Sequence, residues 1–258
     1  MRAMNASLDP ARRFGGVARL YGAVGAARIA AAHVCIIGIG GVGSWAAEAL
    51  ARSGVGGLTL IDLDHVAESN INRQIHALDS SLGQAKVQAM AERIAAINPH
   101  CRVVCIEDFI EPDNVAALLP VCDAVIDAID SVRAKAALIA HCRRGKRLLV
   151  TTGGAGGRVD PTAVQVADLA RTTQDALASK VRARLRKEYG FPRDAKKKFG
   201  VDCVFSPEQI RRPDGAACDV DEAGLHGLNC AGYGSSVAVT AGFGFAAAAR
   251  VLTRLAGG

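Results

Sequence analysis

The stretch Val34–Asp64, VCIIGIGGVGSWAAEALARSGVGGLTLIDLD, decides the fold. Its apolar run Val34–Ile37 has the length of a buried strand. Gly38-Ile39-Gly40-Gly41-Val42-Gly43 follows, then a helical pattern to Leu50 and a second apolar run, Leu58–Ile61, closed by Asp62. That order spells one βαβ unit. Glycines suit a tight turn whose backbone approaches a phosphate closely. The helix behind them aims its N-terminus, carrying about +0.5 charge, at that phosphate. Asp62 stands where a carboxylate can accept from a ribose hydroxyl. Strand, turn, helix and acid together specify a nucleotide without saying which.

Outward from this unit, strands and helices alternate. Val17–Ala32 reads as a helix leading into the first strand, and Gly83–Ile97 as another, ended by Pro99. Arg102–Ile106, Ala124–Ile129 and Leu148–Thr152 read as strands, Asp113–Leu119 and Val132–Cys142 as helices. The pattern implies a Rossmann-like, doubly wound, mostly parallel sheet of the α/β class. Beyond it lie a strand at Val164–Ala167, an amphipathic helix at Gln174–Tyr189 and an edge strand at Val201–Phe205. Pro207–Gly227 reads as a mobile crossover. The expected organisation is an N-terminal helical segment (1–32), a nucleotide-binding domain (33–170), a basic, partly mobile segment (171–230) and a C-terminal helix on the core (231–258).

The chain has 258 residues, half of them hydrophobic, and a net charge of +6. A chain of that length buries about three-quarters of its unfolded surface, so no staple is required. Its eight cysteines include no C-x-x-C pair. A zinc knot or disulfide scaffold is therefore not expected, and a reducing cytoplasm fits. No secretory leader is read in the first residues. Ala223–Ala249 contains no Asp, Glu, Lys or Arg. It reads as a buried core helix or as a membrane span; its glycines and polar residues favour the core. The charge is localised, because Lys180–Lys198 carries nine cations and two acids, leaving the remainder at −1. That concentration points to a polyanion, with Lys180, Arg182, Arg184, Arg186, Lys187, Lys196, Lys197 and Lys198 as candidate RNA contacts.

The glycine turn alone would suggest an NAD-linked dehydrogenase. Asp64, the string Asn70-Ile71-Asn72-Arg73-Gln74, Lys86 at a helix start, and Asp127 with Asp130 after the fourth strand argue otherwise. In an open α/β sheet the strand C-termini share one crevice. Arg73, Lys86 and Asp130 can therefore reach whatever occupies the turn. A triphosphate needs such added cations and a carboxylate for magnesium. Each cation–phosphate pair at about 4 Å contributes roughly 4 kcal/mol before desolvation, at an effective dielectric near 20.

Gly38-x-Gly-Gly-x-Gly43, Asp62-x-Asp64, Asn72-Arg73-Gln74, Lys86 and Asp130 together resemble the ThiF/MoeB/HesA superfamily of adenylating enzymes, relatives of ubiquitin-activating enzymes. Further strings are similar to its tRNA threonylcarbamoyladenosine dehydratase branch. They are Arg13-Phe14-Gly15-Gly16, Asn72–Leu78, Asp127–Arg133, Thr151–Gly157 and Gly200–Ser206. The resemblance implies that ATP and Mg2+ are the cofactors. It implies that Gly38, Gly40, Gly41, Gly43, Asp62, Asp64 and Asn72 line the ATP site. Arg73 and Lys86 would neutralise phosphates, Asp130 would hold magnesium, and Arg13 would come from a homodimer partner. The reaction expected is ATP-dependent cyclisation of threonylcarbamoyladenosine in tRNA. AMP with pyrophosphate and ADP with phosphate both remain open as products.

Three other readings compete. One is adenylation of a ubiquitin-like or sulfur-carrier protein, with Cys230 as nucleophile and a cysteine desulfurase or sulfur acceptor as partner. The others are the dehydrogenase and a silent RNA-binding scaffold. His76, Cys203 and the remaining cysteines are expected to be structural.

Overall fold

The computed structural model describes residues 9–194, 196–211 and 233–257. Helix α1 (Pro10–Ala31) opens on Asp9, whose carboxylate accepts from the Ala11 amide at 2.9 Å, with Pro10 in the first helical position. It bends at Gly22. Then follow β1 (His33–Ile37), α2 (Gly43–Arg52), β2 (Gly57–Ile61), α3 (Lys86–Ile97), β3 (Arg102–Ile106), α4 (Val115–Leu118) and β4 (Ala124–Asp127). The remainder is α5 (Val132–Arg144), β5 (Leu148–Thr152), β6 (Gln165–Asp168), α6 (Ala176–Glu188), β7 (Asp202–Phe205) and α7 (Val237–Gly257). Helix α3 begins three residues after the expected start, because Gly83 adopts the left-handed turn that precedes it.

The seven strands form one sheet in the order β3-β2-β1-β4-β5-β7-β6, parallel except for β6 against β7. Alternate residues of β1 feed opposite faces. Val34 and Ile36 join Leu50, Met90 and Phe243 beneath α2, α3 and α7. Cys35 and Ile37 join Leu138, Leu177 and Leu185 beneath α5 and α6. Burial on both faces explains why the central strands read as continuous apolar runs. From β1 the chain winds outward to β2 and β3, then returns to β4 on the other side. The strand order therefore reverses between β1 and β4, and a crevice opens at their C-terminal ends.

One expectation is corrected. Strand β7 is not an edge: it sits between β5 and β6, and β6 forms the edge. The sheet therefore continues past residue 170, with β6 before that boundary and β7 after it. In the described part of the basic segment the amphipathic helix read from the sequence is present. Leu177, Val181 and Leu185 bury one face of α6 against α5. Asp168 closes the segment, accepting from the amides of Phe199 (2.9 Å), Gly200 (2.7 Å) and Val201 (3.3 Å). Most of the expected crossover, residues 212–227, lies outside the described residues, as does Cys230. Helix α7 is long and apolar enough to cross a membrane by length and composition. Its Val239, Phe243, Ala247 and Val251 are wholly buried in the core.

Candidate nucleotide-binding active site

The glycine turn follows β1 directly. Gly38 has φ +85°, and a Cβ there would press on the Ala128 carbonyl; a Cβ at Gly43 would collide with the Gly38 carbonyl oxygen. Only glycine fits either place. The amides of Gly40, Gly41 and Val42 donate to no described backbone carbonyl. They stand at the start of α2 as unspent donors, the arrangement that attracts an anion.

Asp62, at the end of β2, pins this turn. Its carboxylate accepts from the Ile39 amide at 2.5 Å and the Asp64 amide at 2.9 Å. Burial pushes its pKa up, against the opposing pull of Lys86 and those amides. Each oxygen keeps a further acceptor site. Lys86 is buried at the first position of α3, and its ammonium meets Asp64 Oδ2 at 2.7 Å. The Asp64 side chain is half exposed, so this ion pair faces the crevice mouth.

Arg73 lies across the turn. Its Cγ and Cδ stand 3.3 Å from where a Cβ on Gly41 would be. Its guanidinium donates to the Ser69 carbonyl (2.7 Å) and to Asn72 Oδ1 (2.9 Å). Burial lowers its pKa, yet a guanidinium stays charged in proteins. Trp45 fixes the backbone here, donating from Nε1 to the Arg73 carbonyl at 2.8 Å. Asn72 donates to the Ser235 carbonyl at 3.2 Å, and Thr240 of α7 packs against Gly41. Thus the start of α7 rims the crevice, which nothing in the sequence signalled.

The two acids after β4 have different fates. Asp127 is fully buried, paired with Lys135 Nζ at 2.8 Å and accepting from Thr151 Oγ1 at 2.5 Å. It is an internal anchor rather than a crevice group, and Lys135 went unnoticed in the sequence. Asp130 stands exposed two residues beyond Ala128, beside the glycine turn. Ser131, not Asp130, caps α5. Asp130 therefore offers one carboxylate to a phosphate-bound magnesium ion, which takes one or two from a protein. Among the described residues no group of three or more His, Cys, Asp or Glu suits a metal held by protein alone.

Some expected site residues lie elsewhere. Arg13 donates to the Ile97 carbonyl at 2.6 Å, at the end of α3 farthest from Lys86. Twelve residues of α3 place it about 17 Å from that lysine. Arg182 donates to Thr172, while Arg186 donates to the Pro192 carbonyl and covers the Phe199 ring at 5.3 Å. Those two cations serve the fold first. Lys180, Lys187, Lys196, Lys197 and Lys198 are exposed, and Arg184 pairs with Glu188. His76 is buried with both ring nitrogens unpartnered, and burial pushes its pKa down to about 4.

A glycine turn at a sheet's switch point, flanked by two cations and an exposed carboxylate, defines an α/β protein of the nucleotide-binding kind. The chain belongs to the ThiF family, whose pattern spans residues 15–257. It is 56% identical to the tRNA threonylcarbamoyladenosine dehydratase of Escherichia coli, over 95% of this chain and 93% of that one. Crystal structures of that E. coli dehydratase superpose with a TM-score of 0.86 in complex with ATP and 0.87 in complex with AMP. The ATP complex is 54% identical and matches 95% of this chain and 94% of its own. Molybdopterin-synthase adenylyltransferase of E. coli is 38% identical over 46% of this chain and 48% of its own.

Proposed function

We propose that this chain is an ATP-dependent tRNA threonylcarbamoyladenosine dehydratase. The observation that carries the reading is 56% identity across nearly the whole chain to an enzyme of that name. The sulfur-carrier alternative has relatives that align over only about half the chain. The substrate carboxylate is a poor acylating agent until its oxygen is attached to phosphorus. A carboxylate oxygen attacks the α-phosphate of ATP, and pyrophosphate leaves. The neighbouring carbamoyl group then attacks the activated carbonyl, AMP departs, and the ring that closes has lost one water.

The protein's part is positioning and charge neutralisation. The unspent amides after Gly38 cradle phosphate oxygens. Arg73 and Lys86 offset the negative charge of the triphosphate, Lys86 sharing its proton donors between Asp64 and phosphate. Asp62 accepts from the ribose while it pins the turn, and Asn72 orients Arg73. Asp130 would hold a magnesium ion, which would supply further positive charge to the phosphate chain. Arg13 serves the crevice of a second copy in a homodimer. The exposed lysines of residues 180–198 contact tRNA phosphates, in the cytoplasm where tRNA is found. The test is incubation with ATP, magnesium and tRNA carrying threonylcarbamoyladenosine, followed by mass spectrometry of the nucleosides. A product lighter by one water is expected; an unchanged nucleoside in the presence of bound ATP overturns the reading.

A further inference from the structure

A cavity of about 280 Å³ lies between the last turn of α5 and the basic segment. Arg143 and Arg144 of α5 border it with Lys198, while Tyr189 and Phe191 line it above the buried ring of Phe199. No carboxylate is among its described lining residues. All three cations are exposed, and Arg143 and Arg144 sit in the last turn of α5, where the helix dipole favours positive charge. The aromatic wall is held in place. Phe191 and Phe199 pack edge to face at 5.0 Å, and the Phe199 backbone is fastened to Asp168. The Arg143 guanidinium lies 3.1 Å from where a Cβ on Gly200 would be, so it is laid along the same wall.

Positive charge without acid, joined to aromatic faces in a concavity, suits a group that is both anionic and flat. A nucleotide is such a group. Unstacked bases of single-stranded RNA stack on aromatic rings and on guanidinium planes. At about 280 Å³ the cavity lies just under the roughly 300 Å³ at which small-molecule pockets begin, a size that suits one base with its sugar and phosphate at the rim. Its place in the fold matters equally. Helix α5 starts just after Asp130, at the crevice, and ends at Arg144, at the cavity. Its 13 residues separate the two by about 18 Å. A stacked strand covers that distance in on the order of five nucleotides. One RNA can therefore occupy both.

We propose that this cavity is a second RNA-binding site, which takes one unstacked nucleotide of the same tRNA whose modified base enters the glycine crevice. The proposal rests on tRNA being the substrate. It assigns Arg143 and Arg144, which lie outside the basic run read from the sequence, and Tyr189 and Phe191, uncharged residues within it.

The test compares the parent protein with the double variant R143Q/R144Q and the single variant F191L. Fluorescence anisotropy measures binding of an unmodified tRNA transcript across a salt series. Steady-state turnover measures KM and kcat with modified tRNA, and an ATP-induced thermal shift checks folding and the crevice. For R143Q/R144Q the log–log salt slope should become shallower by about 1.4 units, two contacts at roughly 0.7 each. Its KM should rise tenfold or more, with kcat and the ATP shift unchanged. F191L should weaken tRNA binding by roughly tenfold with an unchanged slope. Parental KM, affinity and slope in both variants would overturn the proposal. Loss only in R143Q/R144Q would overturn the stacking part and leave a plain charge patch. If the parent binds tRNA but never converts it, the assigned reaction fails while the cavity's role is still decided by anisotropy.

Discussion

At the scale of single residues, the crevice is a balance of charges that the fold keeps available. Lys86 is buried against a half-exposed acid, Asp64, and that acid can turn to solvent when phosphate arrives. Replacing Lys86 with Met keeps the apolar stem and removes the charge. Turnover should fall below detection while tRNA affinity, read by anisotropy, stays within about twofold, since phosphate contacts elsewhere carry that binding. His76 makes a different prediction. Its folded pKa of about 4 lies below the ordinary value near 6.5. The unfolded chain takes up a proton first as pH falls, so the contribution is full above 6.5 and is lost on the way down to 4. Denaturant unfolding should show about 2 kcal/mol less stability at pH 5 than at pH 8 from this group, and H76F should remove that part of the slope. The places of Arg73, Lys86 and Asp130 near the turn were legible, because the glycine turn, the start of α3 and the end of β4 were each readable as local patterns. The Asp127–Lys135 pair was not. Its partners gain meaning only when the inward face of α5 is known, and an internal lysine looks in the sequence like any surface one.

At the scale of elements, one acid joins three pieces of structure. Asp175 caps α6 through the Ala178 amide (2.8 Å), accepts from the Gly154 amide (3.0 Å) after β5, and pairs with buried Arg158 at 3.4 Å. D175A leaves a guanidinium buried without its counter-charge, and should cost about 3–5 kcal/mol in denaturant unfolding. The double variant D175A/R158M should lose less than the sum of the two singles, since the stranded charge is gone. The βα units were readable in order, from periodicity and from the Gly and Pro that end them. The position of β7 was not. A four-residue strand pairs equally well at an edge or between two neighbours, and its place depends on β6 folding back against it from a distant part of the chain. The start of α7 was hidden for a related reason, since Thr240 and Ser235 meet the crevice only through tertiary packing.

At the scale of the whole molecule, charge and catalysis are kept on different parts of one sheet. Arg13 lies far from its own crevice, so a homodimer in which it serves the neighbour makes a sharp prediction. R13A and K86A should each be inactive. Mixed after reversible dissociation, they should regain about a quarter of parental turnover, because one site in each mixed dimer is intact. No recovery would place Arg13 outside a shared site. The basic region shows how length and charge could be read while architecture could not. Its +7 charge was plain in the sequence, whereas the burial of Arg186 against Phe199 and of α6 on α5 emerged only from packing. Asp168, at the end of β6, also grips the amides of residues 199–201, where the chain re-enters the sheet as β7. Departure and return thus meet at one carboxylate, so the stretch between them is a loop cinched at its neck. Loosening that knot should let the outer lysines wander while α6, buried on α5, stays put.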